Sequence, residues 1–267
     1  MVAASNLKKI IPPIVMPLLL RLGFSGITFK YGFKSWSEAE ARCSGYDDKN
    51  ILQAITESSR KVRDGKAAFD RDGVAFQSAE YSWPLLSAIL GTPRESNSIS
   101  VLDWGGALGS TYRQNKTHLD GVKIAIKWKI VEQKRISDIG VAEFQSLELS
   151  FAESLKDLTA GQFDLAILAS SVCYVSDPAG VIAEIVDLSP KRIVFDRTPE
   201  SRRKMDQIGV QNVSSKIYTA SYPLWAFAPG TLEKLVGPRY KLTFDWISEF
   251  QPDPQTIAKG YCFDRID

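Results

Sequence analysis

The chain has 267 residues, enough for one α/β domain with or without an extension. Its 33 basic and 31 acidic residues give a net charge of +2, and 44% of all residues are apolar. This composition excludes a disordered chain, and it lacks the basic excess that nucleic-acid binding requires. We therefore expect a globular protein with no nucleic-acid partner.

The cysteines and the single histidine indicate the cellular setting. Cys43, Cys173 and Cys262 are odd in number and far apart, so they predict neither a disulfide framework nor a zinc site. His118 cannot form a metal cluster alone. We expect a cytoplasmic protein without a bound metal.

The N-terminal segment needs separate treatment, because residues 10–20 are almost wholly apolar and flanked by basic residues. A helix that spans a bilayer needs about 20 apolar residues, and the three prolines of this run interrupt a regular helix. Two interpretations stay open. The segment packs against the domain, or residues 10–22 form a peripheral anchor at the inner membrane surface.

Helical patterns follow. Ser35 or Ser37 can cap a short helix, Asp48 can cap a longer amphipathic one, and a third helix is predicted at 83–90. We interpret residues 1–97 as an N-terminal helical cap.

The pattern changes after a loop at 91–98, where short apolar runs begin to alternate with amphipathic stretches. This alternation is typical of a parallel sheet covered by helices. Five strands are predicted at 99–103, 124–131, 147–151, 163–169 and 192–196. Two further runs, at 240–246 and 260–263, predict a closing antiparallel pair. Residues 98–267 are therefore expected to form an α/β fold with a seven-stranded, mostly parallel sheet.

A glycine-rich turn follows the first of these strands. Asp103 ends the strand, and Gly105, Gly106 and Gly109 precede a helix that begins near Ser110. Glycines allow a sharp turn and a close approach of the backbone to a ligand. Ligands of open α/β sheets bind beyond the carboxyl ends of the strands, so the turn predicts a ligand site.

The spacing of the turn disfavours a nicotinamide or flavin cofactor. A dinucleotide fingerprint that starts at Gly105 would place its second and third glycines where Ala107 and Ser110 stand.

The turn resembles the first motif of class I S-adenosylmethionine (SAM)-dependent methyltransferases, an acidic residue followed by three alternating glycines. Ala107 replaces the middle glycine. Glu132, which closes the second strand, and the segment 163–178 resemble later motifs of the same superfamily. The resemblance implies a Rossmann-like methyltransferase sheet and SAM as cofactor. It implies a binding set of Asp103, Gly105, Gly106, Ala107, Gly109, Glu132, Phe151, Ala169 and Ser170.

Glu132 would accept hydrogen bonds from both ribose hydroxyls, since a carboxylate has only acceptors. The alternative is a charge at a helix start or a solvated charge.

A narrower resemblance covers most of the chain. Segments at 45–47, 62–65, 112–115, 131–133 and 196–199 look like those of a small group of predicted methyltransferases of bacterial surface-polysaccharide gene clusters. This resemblance indicates a setting and not a substrate. Within that setting we expect O-methylation of a sugar or glycolipid intermediate, so the expected partner is a small-molecule or glycan substrate.

Candidate catalytic residues follow the fourth and fifth strands. Tyr174 could line the acceptor pocket or form a wall against the cofactor. Asp196 could act as a base, or it could have a structural role by pairing with Arg197 or capping the next turn. Arg197, together with Arg71, could instead hold a phosphate or carboxylate of the acceptor. Two rival functions stay open: a non-catalytic scaffold with the same fold, and a nucleotide-sugar oxidoreductase.

Overall fold

The computed structural model describes residues 26–44, 49–214, 219–249 and 251–266. The part before residue 98 contains β1 (Ile27–Phe33), α1 (Trp36–Glu40), α2 (Lys49–Arg63), β2 (Phe69–Arg71), β3 (Val74–Phe76) and α3 (Trp83–Leu90). The sheet and its helices follow as β4 (Ser98–Trp104), α4 (Ser110–Gly121), β5 (Ala125–Val131), α5 (Lys134–Glu143), β6 (Leu149–Ala152), β7 (Leu165–Ala169), α6 (Pro178–Asp187) and β8 (Arg192–Ser201). The chain continues with β9 (Gln207–Val213), β10 (Ala220–Ala226), α7 (Thr231–Val236), β11 (Tyr240–Ile247) and β12 (Thr256–Arg265).

The central sheet has seven strands in the order β6-β5-β4-β7-β8-β12-β11. Strands β4 to β8 are parallel to one another in this sheet, and β12 lies antiparallel between β8 and β11. The predicted mostly parallel sheet with a closing antiparallel pair is confirmed. The chain runs outward from β4 to β6 on one side and returns on the other side through β7, so the strand order reverses beside β4. This reversal creates a crevice at the carboxyl ends of the strands.

The middle strands form the core because helices cover both faces of a parallel sheet. Leu165, Ile167 and Leu168 of β7 are all fully buried, as are Val101 and Leu102 of β4. Such double burial favours short apolar runs, and the run of β7 is apolar throughout, which explains why this strand could be predicted.

The N-terminal part contains strands as well as helices. The three predicted helices are present, and Ser35 caps α1 by accepting a hydrogen bond from the Glu38 N–H. In addition, β2 and β3 form a hairpin, and β1 pairs with β9 in a second sheet of order β1-β9-β10. The purely helical interpretation was therefore incomplete. It did not use the alternation of apolar and polar residues in Ile27–Phe33, which matches the alternating burial of β1. The two parts share a sheet, and the domain boundary at residues 97 and 98 stays a prediction.

Some predictions fall on residues that the structure does not describe. The apolar segment at 10–22, the segment 45–47 and Asp48 lie outside the described residues. Within the described ranges, no helix has the length and apolar character needed to cross a membrane.

Candidate functional site

A pocket lies at the carboxyl ends of β4, β5 and β7, and the β2–β3 hairpin covers it. Its volume is about 90 Å³. The sheet and α4 contribute Gly105, Gly106, Ala107, Ser110, Thr111, Gln114, Glu132, Ala169, Ser170 and Arg197. The N-terminal part contributes Ile55, Phe69, Asp70, Arg71, Asp72 and Gly73. Six of the nine predicted cofactor-binding residues therefore line one pocket. These six include residues from the segments that follow β4 and β5.

The turn after β4 has an unusual backbone. Gly105, Ala107 and Gly109 have φ values of 71°, 50° and 96°, all in the left-handed region. Glycine adopts this conformation without steric cost, whereas the Cβ of an alanine clashes with its own carbonyl group. The Gly105 N–H donates to the Val131 carbonyl over 2.9 Å, which joins the turn to the end of β5.

Asp103 lies beneath the turn. A Cβ on Gly106 would come within 2.5 Å of the Asp103 Cγ, so this position has room for glycine alone. The Asp103 side chain is fully buried, and its Oδ2 accepts a hydrogen bond from Trp128 Nε1 over 3.0 Å. Among the described residues its Oδ1 has no hydrogen-bond partner. Burial raises the pKa of Asp103 to about 7, against the lowering effect of the Trp128 hydrogen bond. Asp103 supports the turn from below and does not line the pocket.

Glu132 faces the turn from the end of β5. Its Oε1 accepts a hydrogen bond from the Ala107 N–H over 3.1 Å, and its Oε2 accepts one from the Gln133 N–H over 2.9 Å. Burial raises the pKa of Glu132, and the two backbone hydrogen bonds oppose this effect. Each oxygen keeps a further lone pair for a ligand hydroxyl.

The end of β7 forms the opposite wall. Ser170 follows Ala169 with a left-handed φ of 52°, and its N–H donates to the Asp196 carbonyl over 2.9 Å. The Ser170 hydroxyl accepts a hydrogen bond from Arg197 Nε over 3.1 Å. The end of β7 is thereby held to the middle of β8 beside the pocket.

Two other predicted cofactor-binding residues, Gly109 and Phe151, pack against neighbouring elements of the fold. Gly109 precedes the first turn of α4, and an added Cβ there would lie 3.1 Å from Leu149 Cδ2. Phe151 on β6 is buried against α5, where a Cβ on Gly140 would come within 2.4 Å of its ring. Neither residue is among those that line the pocket.

The two predicted catalytic residues also lie outside the lining. The Tyr174 hydroxyl donates to Gln211 Oε1 over 2.9 Å, and Gln211 Nε2 donates to the Tyr222 hydroxyl at the same distance. Tyr174 therefore connects a short 3₁₀ turn to the second sheet. Its role in catalysis stays a prediction.

Asp196 is fully buried and has three partners. Arg197 Nη1 donates to its Oδ2 over 2.8 Å, while Trp246 Nε1 and the Ser82 hydroxyl donate to its Oδ1 over 3.2 and 3.5 Å. Of the two alternatives for Asp196, these contacts favour the structural one.

The hairpin over the pocket is not among the elements predicted from the sequence. Asp72 and Gly73 have φ values of 50° and 75° and connect the paired residues Arg71 and Val74. Positive φ at both central residues is what a two-residue hairpin turn of type I′ requires. An Asp-Gly pair between short apolar segments is a strong hairpin signal, so this element could have been predicted.

Asp70 fixes the hairpin to the rest of the fold. Its Oδ2 accepts hydrogen bonds from the Ser59 and Ser110 hydroxyls over 2.9 and 2.6 Å, and Arg113 lies 3.4 Å from its Oδ1. Because Ser59 belongs to α2 and Ser110 begins α4, one buried carboxylate joins the hairpin to both helices. No local sequence signal indicates this role.

No family model and no curated protein matches the chain. Solved structures align with much of it at low identity. The [4+2]-cyclase SpnF is 12% identical, with 80% of this chain and 93% of that chain covered at a TM-score of 0.49. An S-adenosylmethionine-dependent methyltransferase from Mesorhizobium loti is 14% identical, with 68% and 97% covered at a TM-score of 0.45. The N-terminal domain of EvdMO1, crystallised in the presence of SAH and D-fucose, is 11% identical, with 82% and 97% covered at a TM-score of 0.46. Identities of this size leave the function to be argued from the site itself.

Proposed function

We propose that the protein binds SAM in the pocket over the turn at 105–107 and acts as a SAM-dependent methyltransferase. The observation that carries the proposal is the position of Glu132, which faces this turn with both carboxylate oxygens held by backbone N–H groups. A carboxylate oriented in this way can accept hydrogen bonds from two neighbouring hydroxyls, as the ribose of SAM presents them.

The donor set of the pocket fits this cofactor. Glu132 would hold the ribose, the turn brings the backbone close to the ligand, and Ala169 offers an apolar contact at the end of β7. The volume of about 90 Å³ is smaller than the roughly 300 Å³ or more of most small-molecule pockets. The β2–β3 hairpin forms one wall of this pocket, so its position limits the room that the cofactor has.

SAM supplies an activated methyl group, and its transfer is an in-line displacement. The contribution of the chain is to hold the acceptor at attack distance and in alignment. No nucleophilic side chain is needed for such a step.

A sugar or glycolipid intermediate of surface-polysaccharide synthesis is the proposed acceptor, methylated on oxygen in the cytoplasm. The support for this finer proposal is the narrower resemblance described above, which includes the segment 196–199 beside the pocket. Glycan precursors from a strain that lacks the protein should include one species lighter by a methylene group. Identical precursor profiles in both strains would contradict the proposed acceptor.

Calorimetry of the full chain tests the cofactor directly. Titration with SAM and with its demethylated product, S-adenosylhomocysteine (SAH), should give saturable heats, and either ligand should raise the melting temperature. Absence of both effects at millimolar ligand would count against the proposal. Heat from a nicotinamide dinucleotide instead would favour the oxidoreductase. SAM binding without any methylated product from an extract of glycan precursors would favour the scaffold.

The segment 10–22 is proposed as a peripheral contact with the inner membrane, and its basic flanks and apolar run support this idea. Removal of residues 1–22 should then release the protein from the membrane fraction. Unchanged membrane association of the shortened chain would contradict it.

A further inference from the structure

We propose that Arg71 and Arg197 form an anion-binding subsite within the pocket and that this subsite takes a phosphate or carboxylate group of the methyl acceptor. The inference rests on the methyltransferase function proposed above and specifies the class of its acceptor. The two arginines come from distant parts of the chain, yet both line the same pocket.

Arg197 is held in a fixed orientation. Its backbone has a left-handed φ of 51°, its Nε donates to the Ser170 hydroxyl, and its Nη1 donates to Asp196. These contacts fix the plane of the guanidinium group. They leave its Nη2 without a hydrogen-bond partner among the described residues. A planar, pre-oriented guanidinium is suited to bind carboxylate and phosphate oxygens.

Arg71 approaches from the hairpin. Its guanidinium carbon lies 5.8 Å from the ring centre of Phe69 and 5.4 Å from that of Phe76, so two aromatic rings support it. Its ion pair with Glu80 is 3.4 Å long, and the Glu80 side chain is 58% exposed. A solvated ion pair of this kind contributes little and can yield to a ligand.

The two arginines are the basic residues of the pocket lining, which also contains the acidic Asp70, Asp72 and Glu132. Their side chains are only 20% and 19% exposed. The pKa of Arg71 is lowered by burial first and then by the charge of Arg197. Asp72 also lines the pocket and opposes this repulsion, whereas the carboxylate of Asp70 is already engaged by two hydroxyls. A bound anion would offset the repulsion between the arginines and could accept charge-assisted hydrogen bonds from both.

The position of the pair points to the acceptor as the source of the anion. Arg197 lies on β8, two strands away from β4 and three from β5 in the sheet. Neighbouring strands lie about 4.8 Å apart, which separates the backbone of Arg197 from that of the proposed cofactor turn by roughly 10 Å. The carboxylate of SAM itself has the same chemistry, so the experiment must distinguish the two sources.

Calorimetric titration of the full chain with inorganic phosphate, with and without SAH, tests the subsite. Wild type should give saturable heat in the presence of SAH, and Arg71→Gln should weaken phosphate binding by about tenfold or more, the size expected for lost charge-assisted hydrogen bonds. Arg197→Lys keeps the charge beside Asp196 but loses the planar guanidinium group, so it should also weaken phosphate binding. Arg239→Gln, which alters an arginine beside Asp187 on α6, is the matched control and should leave phosphate binding unchanged.

A second titration separates the acceptor from the cofactor. SAH contains the amino-acid carboxylate, whereas methylthioadenosine lacks it. Arg71→Gln and Arg197→Lys should both bind SAH within about twofold of wild type, because each variant retains the Glu132 site, and a melting curve establishes that each variant is folded.

Four results are decisive. Phosphate binding by Arg71→Gln equal to that of wild type, or none by wild type, would overturn the subsite. Weaker SAH binding with unchanged methylthioadenosine binding in both variants would assign the arginines to the cofactor and overturn the acceptor assignment. Phosphate binding by a wild-type protein that does not bind SAH would support the subsite while the proposed methyltransferase function fails.

Discussion

Glu132 Oε1 accepts a hydrogen bond from the backbone N–H of Ala107 over 3.1 Å, so the end of β5 holds the turn that follows β4. This contact joins Glu132, the proposed ribose-binding residue, to the turn at 105–107 over which the cofactor is proposed to bind. A change in Glu132 should therefore affect ligand binding and the stability of the turn together.

Replacement of Glu132 by Ala should weaken SAH binding by tenfold or more and lower the free energy of unfolding by about 1–2 kcal/mol, since the Ala107 N–H loses its partner. Calorimetry and urea denaturation measure the two effects. Glu153→Ala is the control, because that side chain pairs with Lys134 at the surface and should affect neither quantity. Unchanged SAH affinity in Glu132→Ala would mean that the cofactor site is misplaced.

Replacement of Ala107 by Gly should stabilise the protein. A left-handed φ of 50° costs an alanine about 1–2 kcal/mol, and the greater freedom of glycine in the unfolded chain takes back about 0.4–1 kcal/mol. We expect a net gain of about 0.5–1 kcal/mol by urea denaturation. Lys123→Gly, at a φ of 56° outside the pocket, should give a similar gain. A loss of stability in Ala107→Gly would show that the alanine methyl group makes a packing contact worth more than the strain.

Replacement of Gly106 by Ala should abolish SAH binding and destabilise the protein by about 1–3 kcal/mol, because the new methyl group would overlap the buried Asp103 carboxyl group. Gly121→Ala provides the comparison, since a Cβ at that position at the end of α4 meets nothing within 4 Å. That variant should be neutral or slightly more stable. Tight SAH binding by Gly106→Ala would contradict the close packing between the turn and Asp103.

Asp103 should make stability depend on pH. Its pKa is raised to about 7 in the folded protein, whereas an unfolded aspartate has a pKa of about 3.9. Between these values the folded state binds the extra proton, so the contribution of Asp103 is present below about pH 4 and is lost as the pH rises to about 7. Asp103→Asn, which keeps an acceptor for Trp128, should gain stability relative to wild type between pH 5 and pH 8.

Urea denaturation of both proteins at pH 5 and at pH 8 measures this difference. Asp138→Asn serves as the surface control, because its carboxylate lies exposed beside Lys134. A difference between Asp103→Asn and wild type that stays the same at both pH values would contradict a protonated carboxyl group at Asp103.

Asp196→Ala should lower stability by about 2 kcal/mol or more, because Arg197 and Trp246 lose a buried partner. The melting temperature measures this loss, and Asp196→Asn should recover part of it. A base at this position would behave differently: Asp196→Asn would then melt like wild type and lose methyl transfer alone.

The order of elements in the central sheet could be predicted from the sequence. Buried parallel strands need apolar runs such as that of β7, and each predicted strand is followed by a helical pattern. The turn after Asp103 and the acidic Glu132 after β5 could be predicted for a related reason. Both features lie at the carboxyl end of a predicted strand, and the sequence shows directly which residues follow each strand.

The second sheet could not be predicted in the same way. The pairing of Ile27 with Val213 joins residues from opposite ends of the chain, and a half-buried strand such as β1 carries no information about its partner. Asp70 is a similar case, since its burial depends on hydroxyls of Ser59 and Ser110 that only the folded chain brings to it.

The sequence by itself therefore determined the seven-stranded sheet, the glycine turn and the carboxylate that faces it, because local patterns encode burial and backbone conformation. Only the tertiary structure decided that a hairpin covers this turn, that Asp196 is enclosed in a buried ion pair, and that Arg71 and Arg197 meet in one pocket. These contacts join residues that are remote in sequence, and their energy depends on distance and desolvation in the folded chain.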